Sequence, residues 1–440
     1  MNFDKFFALA KEAGISESQI QISKSSDLSV RLFRKEIDNY SVNDSQSIIA
    51  CGIYKGRFGS ARTEKLGKDT FDYLVKEIIR SASFVEAEGA KELFKGSEKY
   101  HKKNTYNKEL PLIPVSEKIA LLHRMEEKAL AMDPRVYEVS ECEYSETESE
   151  SQFYNSHGLK LKQKNNYFVV VLGVGVKDGE GAKTGFQVKV DSDLKSFDAD
   201  AFVKKAVDEA IAKIGGVQCA SGVYPTVLHR DVFGSLLGFF LEAVSSDEVQ
   251  RQSSFLIGQL GKKIASSKLT IEEKPLTKNV FFSYFDDEGV ATQNKYVVKN
   301  GVLQTYFYNL ETARKEGRES TGNGRWAGSK IGIGFSNVFV KPGKSTFGEL
   351  IAPIKEGVYI TDVAGLGTGI NPRSGDFSCQ AQGFMIRDGK LAEPLNLITL
   401  SGNLLKMLKD LKGFDNEAEL KYTSLSCADA FIKGMSIGGK

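Results

Sequence analysis

At 440 residues the chain is longer than one hydrophobic core normally serves, so two domains are expected. A net charge of +2, with no basic stripe interleaved with aromatics, gives no electrostatic case for nucleic acid. Five scattered cysteines without CxxC spacing read as reduced thiols of a cytoplasmic protein, and four histidines leave little material for a multi-histidine metal centre.

The first residues, MNFDKFFALAKEAG, predict an amphipathic helix capped by Asn2 and stopped at Gly14, without the apolar stretch of a signal peptide. Strands are expected over 19–24, 28–33, 47–54 and 58–62, the last two joined as a hairpin around Lys55-Gly56. A helix over 69–86, a lysine-rich surface loop over 96–108 and a helix from Ser116 to Met132, ended by Asp133-Pro134, follow. Strands resume over 136–147, 150–155 and 159–176, with the turn NSHG at 155–158, a glycine-rich turn at 177–185 and a helix near 198–214. The segment Gly215–Gly222 is the expected boundary between an N-terminal α+β domain with an antiparallel sheet (residues 1–218) and a C-terminal β-rich domain (219–440).

The C-terminal half opens on VLHRDVFGSLLGFFLEAVSSDEVQRQSSF (227–255), after Pro225. Asp231 can cap a helix here, and from Val232 to Val244 apolar residues cover every side of the wheel, which predicts a buried helix. It is too short for a bilayer, which needs ~20 apolar residues. Gly234 and Gly238, four apart, each lower helix propensity by ~1 kcal/mol relative to Ala, so close backbone packing is expected at both. Strands are then expected over 280–285, 290–298, 302–309, 335–340, 357–363, 379–387 and 390–400, with hairpin turns at Asn300-Gly301 and Asp388-Gly389, and a last helix over 403–411.

Several chemistries can be weighed on residues alone. No GxSxG occurs, so a serine nucleophile elbow is not indicated. AGLGTGINPRSGD (364–376) lacks GxGxxG spacing and contains Pro372, so it reads as a wide loop whose Arg373 suits a ligand- or peptide-facing role rather than a phosphate cradle. FDDEGVATQ (285–293) has no alternate-position calcium pattern and reads as a solvated turn. For zinc, His229, Asp231 and Cys427 form a conceivable set that lacks nitrogen ligands and a base. The bland alternatives are a helix-entrance histidine satisfied by backbone groups and a small buried thiol.

Taken in order, ACGIYKGRFGSAR (50–62), YNSHGLKL (154–161), FDDEGVATQ, KNGVLQTYFYN (299–309), STGNGRWAG (320–328), the stretch from Gly357 to Asn403 and SCADAFIKGMSIGG (426–439) resemble the TldD/TldE (PmbA, "modulator of DNA gyrase") peptidase family. The resemblance implies an active site in the C-terminal domain, where TldD-like members carry HExxxH on the opening helix and a cysteine near the C-terminus as a further zinc ligand. Here His229 keeps the first position, Arg230 stands for the glutamate, Gly234 for the second histidine, and Cys427 for the terminal cysteine. Zinc thus loses a ligand and its water loses a base, while Arg230 repels a cation. The STGN and GDFSCQAQGF segments look TldE-like. The resemblance therefore implies a dimeric assembly with a zinc-bearing TldD-like subunit acting on unfolded peptides, with no cofactor in this chain and the loops at 320–328 and 365–377 (Asn323, Arg325, Arg373, Asp376) facing a shared chamber. The other readings are a stand-alone peptidase using His229, Asp231 and Cys427, and a homodimeric peptide-binding protein. None of the three involves nucleic acid or membrane.

Overall fold

The computed structural model of the chain describes residues 3–84, 92–179, 181–328 and 330–440, which leaves Asn2, the expected first cap, outside. Helix α1 (Asp4–Glu12) starts at Phe3 with no side-chain cap and is followed by Gly14 in the left-handed region at φ +83°. A six-stranded antiparallel sheet is built from β1 (Ile15–Phe33), β2 (Glu36–Tyr54), β3 (Arg57–Thr63), β4 (Val136–Asn155), β5 (Lys160–Asp178) and β6 (Gly181–Asp191), in the order β3-β2-β1-β4-β5-β6. Helices α2 (Thr70–Ser83), α3 (Val115–Met132) and α4 (Ala199–Ala212) complete this half.

Two expectations fail here. The polar run Ser25–Asp27 does not break β1, because its backbone is paired on both sides, with Ser45 and Ser149 at Ser25. Backbone ladders tolerate polar side chains where both faces of the sheet are wet. The apolar residues accordingly form two separate cores. Phe6, Ile20, Leu74 and Ile78 pack under α1 and α2, while Val30, Leu122, Phe168 and Val203 pack under α3 and α4. The stretch over 177–185, expected as a turn, is mostly strand: Lys177 and Asp178 end β5, and Gly181–Gly185 open β6, which pairs straight back with β5 and which the sequence reading missed. Gly185 is required there, since a Cβ would lie 1.9 Å from the carbonyl oxygen of Ala206 in α4.

The C-terminal half runs β7 (Gly222–Leu228), α5 (Arg230–Ala243), α6 (Ser246–Gln250), β8 (Ile271–Glu273), β9 (Lys295–Lys299), β10 (Val302–Leu303), α7 (Leu310–Lys315), β11 (Gly324–Ala327), β12 (Lys330–Ile333), β13 (Val338–Val340), β14 (Glu356–Ala364), β15 (Asp376–Arg387), β16 (Lys390–Asn403), β17 (Leu411–Phe414), β18 (Glu419–Leu420), β19 (Leu425–Cys427) and β20 (Ala430–Gly438). Strands β16-β15-β14-β7-β20 close into a barrel through the β16–β20 pairing, and β17 lies outside on β20. A second sheet runs β10-β9-β8-β13-β19-β18. Helix α5 packs on β7, β14 and β19, and its Phe233, Leu236, Leu237, Phe240 and Leu241 are wholly buried. The expected buried helix and the α+β architecture both hold. No helix among the described residues is long and apolar enough to cross a membrane.

Of the expected strands over 280–285 and 290–298, the first is irregular and the second is regular only from Lys295 in β9; the isolated bridge Phe285–Ala291 and the Thr292 hydroxyl, which donates to the Ser283 carbonyl at 2.6 Å, join them. Their aromatic side chains serve another purpose. Phe282, Tyr284 and Phe285 pack against Phe153 and Leu161 of the N-terminal sheet, and the Tyr284 hydroxyl donates to the Lys162 carbonyl at 2.7 Å. This small core joins the two halves.

Candidate functional site

Strand β7 delivers His229 to the mouth of the C-terminal core, where its backbone N–H donates to the Ile360 carbonyl of β14 at 2.9 Å. Its Nδ1 accepts from the Asp231 backbone N–H at 3.3 Å, so His229, and not Asp231, caps α5. Asp231 instead faces Lys421, 3.2 Å away.

Arg230 turns inward. Its Nε lies 3.2 Å from Asp429 Oδ1, its backbone N–H donates to the same oxygen at 2.9 Å, and its Nη2 lies 3.8 Å from Asp415 Oδ2 and 3.6 Å from Glu417. Asp429 Oδ2 accepts the Tyr359 hydroxyl at 2.7 Å, and the Asp429 backbone N–H donates to Asp415 Oδ1 at 3.0 Å. Side-chain exposures of 16% for Arg230, 3% for Asp429 and 1% for Asp415 make this a buried ion cluster. Burial opposes the Arg230 charge, but Asp429 and Asp415 outweigh it and hold the guanidinium above its ordinary pKa. Burial, and then Asp429, push the Asp415 carboxyl and the Tyr359 hydroxyl upward. Asp415 Oδ2 makes no hydrogen bond, so Arg230 is its nearest compensation.

One turn further on, a Cβ on Gly234 would sit 3.7 Å from Cys427 Sγ, an ordinary contact, so these two positions face each other across the α5–β19 packing. Gly238 has no atom within 4 Å of such a Cβ. Close backbone approach therefore explains neither glycine, contrary to expectation. Cys427 is buried, and its thiol is pushed up to about 12 by burial and by Asp231. A zinc ligand must be a thiolate, and an imidazole nitrogen must be free. Here burial disfavours the Cys427 thiolate, and His229 Nδ1 is taken up as the helix cap, with Arg230 next to it in sequence. Among the described residues no three His, Cys, Asp or Glu side chains are placed to share an ion. The set His229, Asp231 and Cys427 does not fit zinc.

The acidic loop is a correction. Far from being a solvated turn, it buries Asp286 and Glu288 at 1% and 8% exposure. Asp286 accepts from the backbone N–H groups of Glu288, Val290 and Gly324, each at 2.9 Å, while Glu288 accepts only that of Leu310 at 2.8 Å. Both carboxyls are raised by burial, and Glu288, also raised by Asp286, is pushed up to about 8. With three donors Asp286 is the better anion, so Glu288 carries the proton. Asp287 spans the domains, accepting from Gln21 at 3.2 Å and from the Trp326 backbone N–H at 2.9 Å, while the Trp326 indole donates to Gln21 at 2.9 Å.

A group protonated when folded binds more protons than when unfolded, so stability falls as pH rises through this interval. We expect stability to decline between pH about 4.5 and about 8, and Glu288→Gln to flatten that slope in urea denaturation run across the range.

The four chamber candidates fall in two places. Asn323 is wholly buried, donating to Glu273 at 2.9 Å and to the Gly334 carbonyl at 2.8 Å, so it holds the fold and cannot touch a peptide. Arg325, half-buried, donates to the Gly324 carbonyl. Arg373 and Asp376 are exposed, on the loop before β15 and at its first residue. Hydrogen bonds from Ser374 and Asn403 hold Asp376 below the usual carboxylate range. Tyr359, Asp415 and Asp429 escaped the sequence reading, although Asp429 lies two residues beyond Cys427 in an already singled-out segment.

Residues 221–439 match the family model of the PmbA/TldA metallopeptidase C-terminal domain, and residues 108–214 that of its central domain. The chain belongs to the PmbA/TldD metallopeptidase family. It is 26% identical over 449 aligned residues to a metalloprotease PmbA homologue of Haemophilus influenzae, covering 98% of this chain and 94% of that one. Among solved structures it resembles a protein described as a modulator of DNA gyrase from Thermotoga maritima (28% identity, TM-score 0.92, 99% of both chains). It also shares the fold of TldE from Thermococcus kodakarensis (22% identity, TM-score 0.93, 99% of this chain and 100% of that one). Within this PmbA/TldD chain, the buried Arg230 cluster occupies the start of the helix on which the resemblance implies the metal motif.

Proposed function

We propose that this chain is a zinc-free, TldE-type subunit of a PmbA/TldD peptidase, which works with a zinc-bearing TldD-like partner on unfolded peptides. The observation that carries the reading is the Arg230–Asp429–Asp415 cluster. It fills the base position with a cation whose charge the fold itself neutralises. Burial that disfavours the Cys427 thiolate and the capping role of His229 support it. The chain's own contribution is structural and recognitional. It supplies a chamber wall, with the exposed loop around Arg373 and Asp376 turned toward peptide, while the bond-breaking metal belongs to the other subunit. Its five buried, unpaired thiols suit the reducing cytoplasm.

The test is reconstitution. This chain and the cognate TldD-like chain, each alone and mixed, are assayed on an unfolded peptide. Cleavage only in the mixture is the expected result. Cleavage by this chain alone, abolished in His229→Ala, would favour the stand-alone peptidase. Failure to associate, with this chain self-dimerising, would favour the homodimeric peptide-binding protein.

A further inference from the structure

A cavity of about 580 Å³ opens at the C-terminal end of α5, at the opposite end of that helix from Arg230. This lies within the ~300–1,000 Å³ range typical of ligand sites. Phe239, Phe255, Phe307 and Phe335 wall it, with Phe307 and Phe335 stacked at 6.2 Å, and Ile370 and Pro372 of the 365–377 loop close one side. Phe239, Phe255, Phe335 and Ile370 are only partly buried, so the cavity shows apolar surface to solvent. Its rim is acidic, carrying Glu242, Asp247 and Glu248.

Asp247 is held by Arg251 at 2.9 Å, but among the described residues neither Glu242 nor Glu248 enters an ion pair. Burial, and then the charge of Glu248, raise the Glu242 carboxyl, so a cation lying between the two carboxylates would relieve their repulsion and favour both anions. The last carbonyls of α5 add the negative end of the helix dipole on the same side. Aromatic walls below uncompensated carboxylates suit an apolar group with a cation beside it.

We propose that this cavity binds a bulky apolar side chain of an extended peptide whose neighbouring residue is lysine or arginine. The apolar side chain fills the aromatic cavity, and the cation lies between Glu242 and Glu248. This gives the substrate class that the chain would present to its partner and rests on the peptide-handling reading above. It is tested on this chain alone, so failure of reconstitution and failure of this proposal are separable.

The probe is the acetylated, amidated peptide Gly-Leu-Lys-Leu-Lys-Gly, titrated calorimetrically into the full chain beside counterparts with lysine replaced by glutamate or leucine by serine. The leucine–lysine peptide should bind at least about tenfold tighter than either counterpart, a factor equivalent to ~1.4 kcal/mol. Glu242→Gln with Glu248→Gln, both at the rim and outside the core, should weaken it about tenfold and remove its salt dependence. Ile370→Ser should weaken it while leaving the salt dependence intact. Equal binding of the three peptides, or unchanged affinity in the double variant, would overturn the proposal.

Discussion

Arg230→Met is expected to destabilise the protein by about 3–5 kcal/mol, the range for removing one partner of a buried ion pair. Methionine matches the aliphatic stem, so little packing is lost. The loss lies in the charges. Asp429 and Asp415, 3% and 1% exposed in their side chains, would remain beside each other without the guanidinium. Tyr359 could still donate to Asp429, but a neutral hydroxyl does not offset two carboxylates. Neutralising both acids in the same background, with Asp415→Asn and Asp429→Asn, should recover most of the stability, because the penalty comes from unpaired charge rather than from a cavity. Urea denaturation of the three proteins measures it. A loss below about 1 kcal/mol in Arg230→Met, the value of an exposed pair, would show that the cluster is not the buried device its geometry describes.

Restoring the family's metal motif should fail, and more severely. Arg230→Glu with Gly234→His rebuilds HExxxH as a string of letters. In the fold it places a third carboxylate where Arg230 now stands, against Asp429 and Asp415. Like charges in a buried site repel and cost more than the absence of a cation. The imidazole introduced in place of Gly234 would meet Cys427, whose Sγ lies 3.7 Å from the Cβ position, in a buried setting that disfavours the thiolate a zinc ligand must be. The expected outcome is a protein less stable than Arg230→Met, without stoichiometric zinc and without peptidase activity. Uptake of one zinc per chain with peptide cleavage would show instead that only two residues separate this chain from a catalytic subunit.

The buried helix α5 was legible because apolar residues occur at every angle of its wheel, and the barrel hairpin was legible because Asp388-Gly389 marks its turn. The length of β1 was not. Ser25, Ser26 and Asp27 look like a turn unless their pairing on both sides is known. Likewise, FDDEG reads as solvated because carboxylates ordinarily are. Only the fold brings three backbone N–H groups to Asp286 and buries Glu288 beside it. At the candidate site the sequence exposed the substitutions Arg230 and Gly234. It could not show what compensates Arg230, since Asp415 and Asp429 come from the opposite end of the domain and meet α5 only through β17, β19 and β20. The gyrase label carried by a structural relative gains no support from charge or site chemistry in this chain.

Zinc stoichiometry tests the proposal that this chain holds no catalytic metal. The purified chain, loaded with equimolar zinc, passed through a desalting column and analysed by mass spectrometry, should retain far less than one zinc per chain, with His229→Ala indistinguishable from it. One tightly held zinc per chain, lost in His229→Ala, would show that this chain carries a metal site of its own.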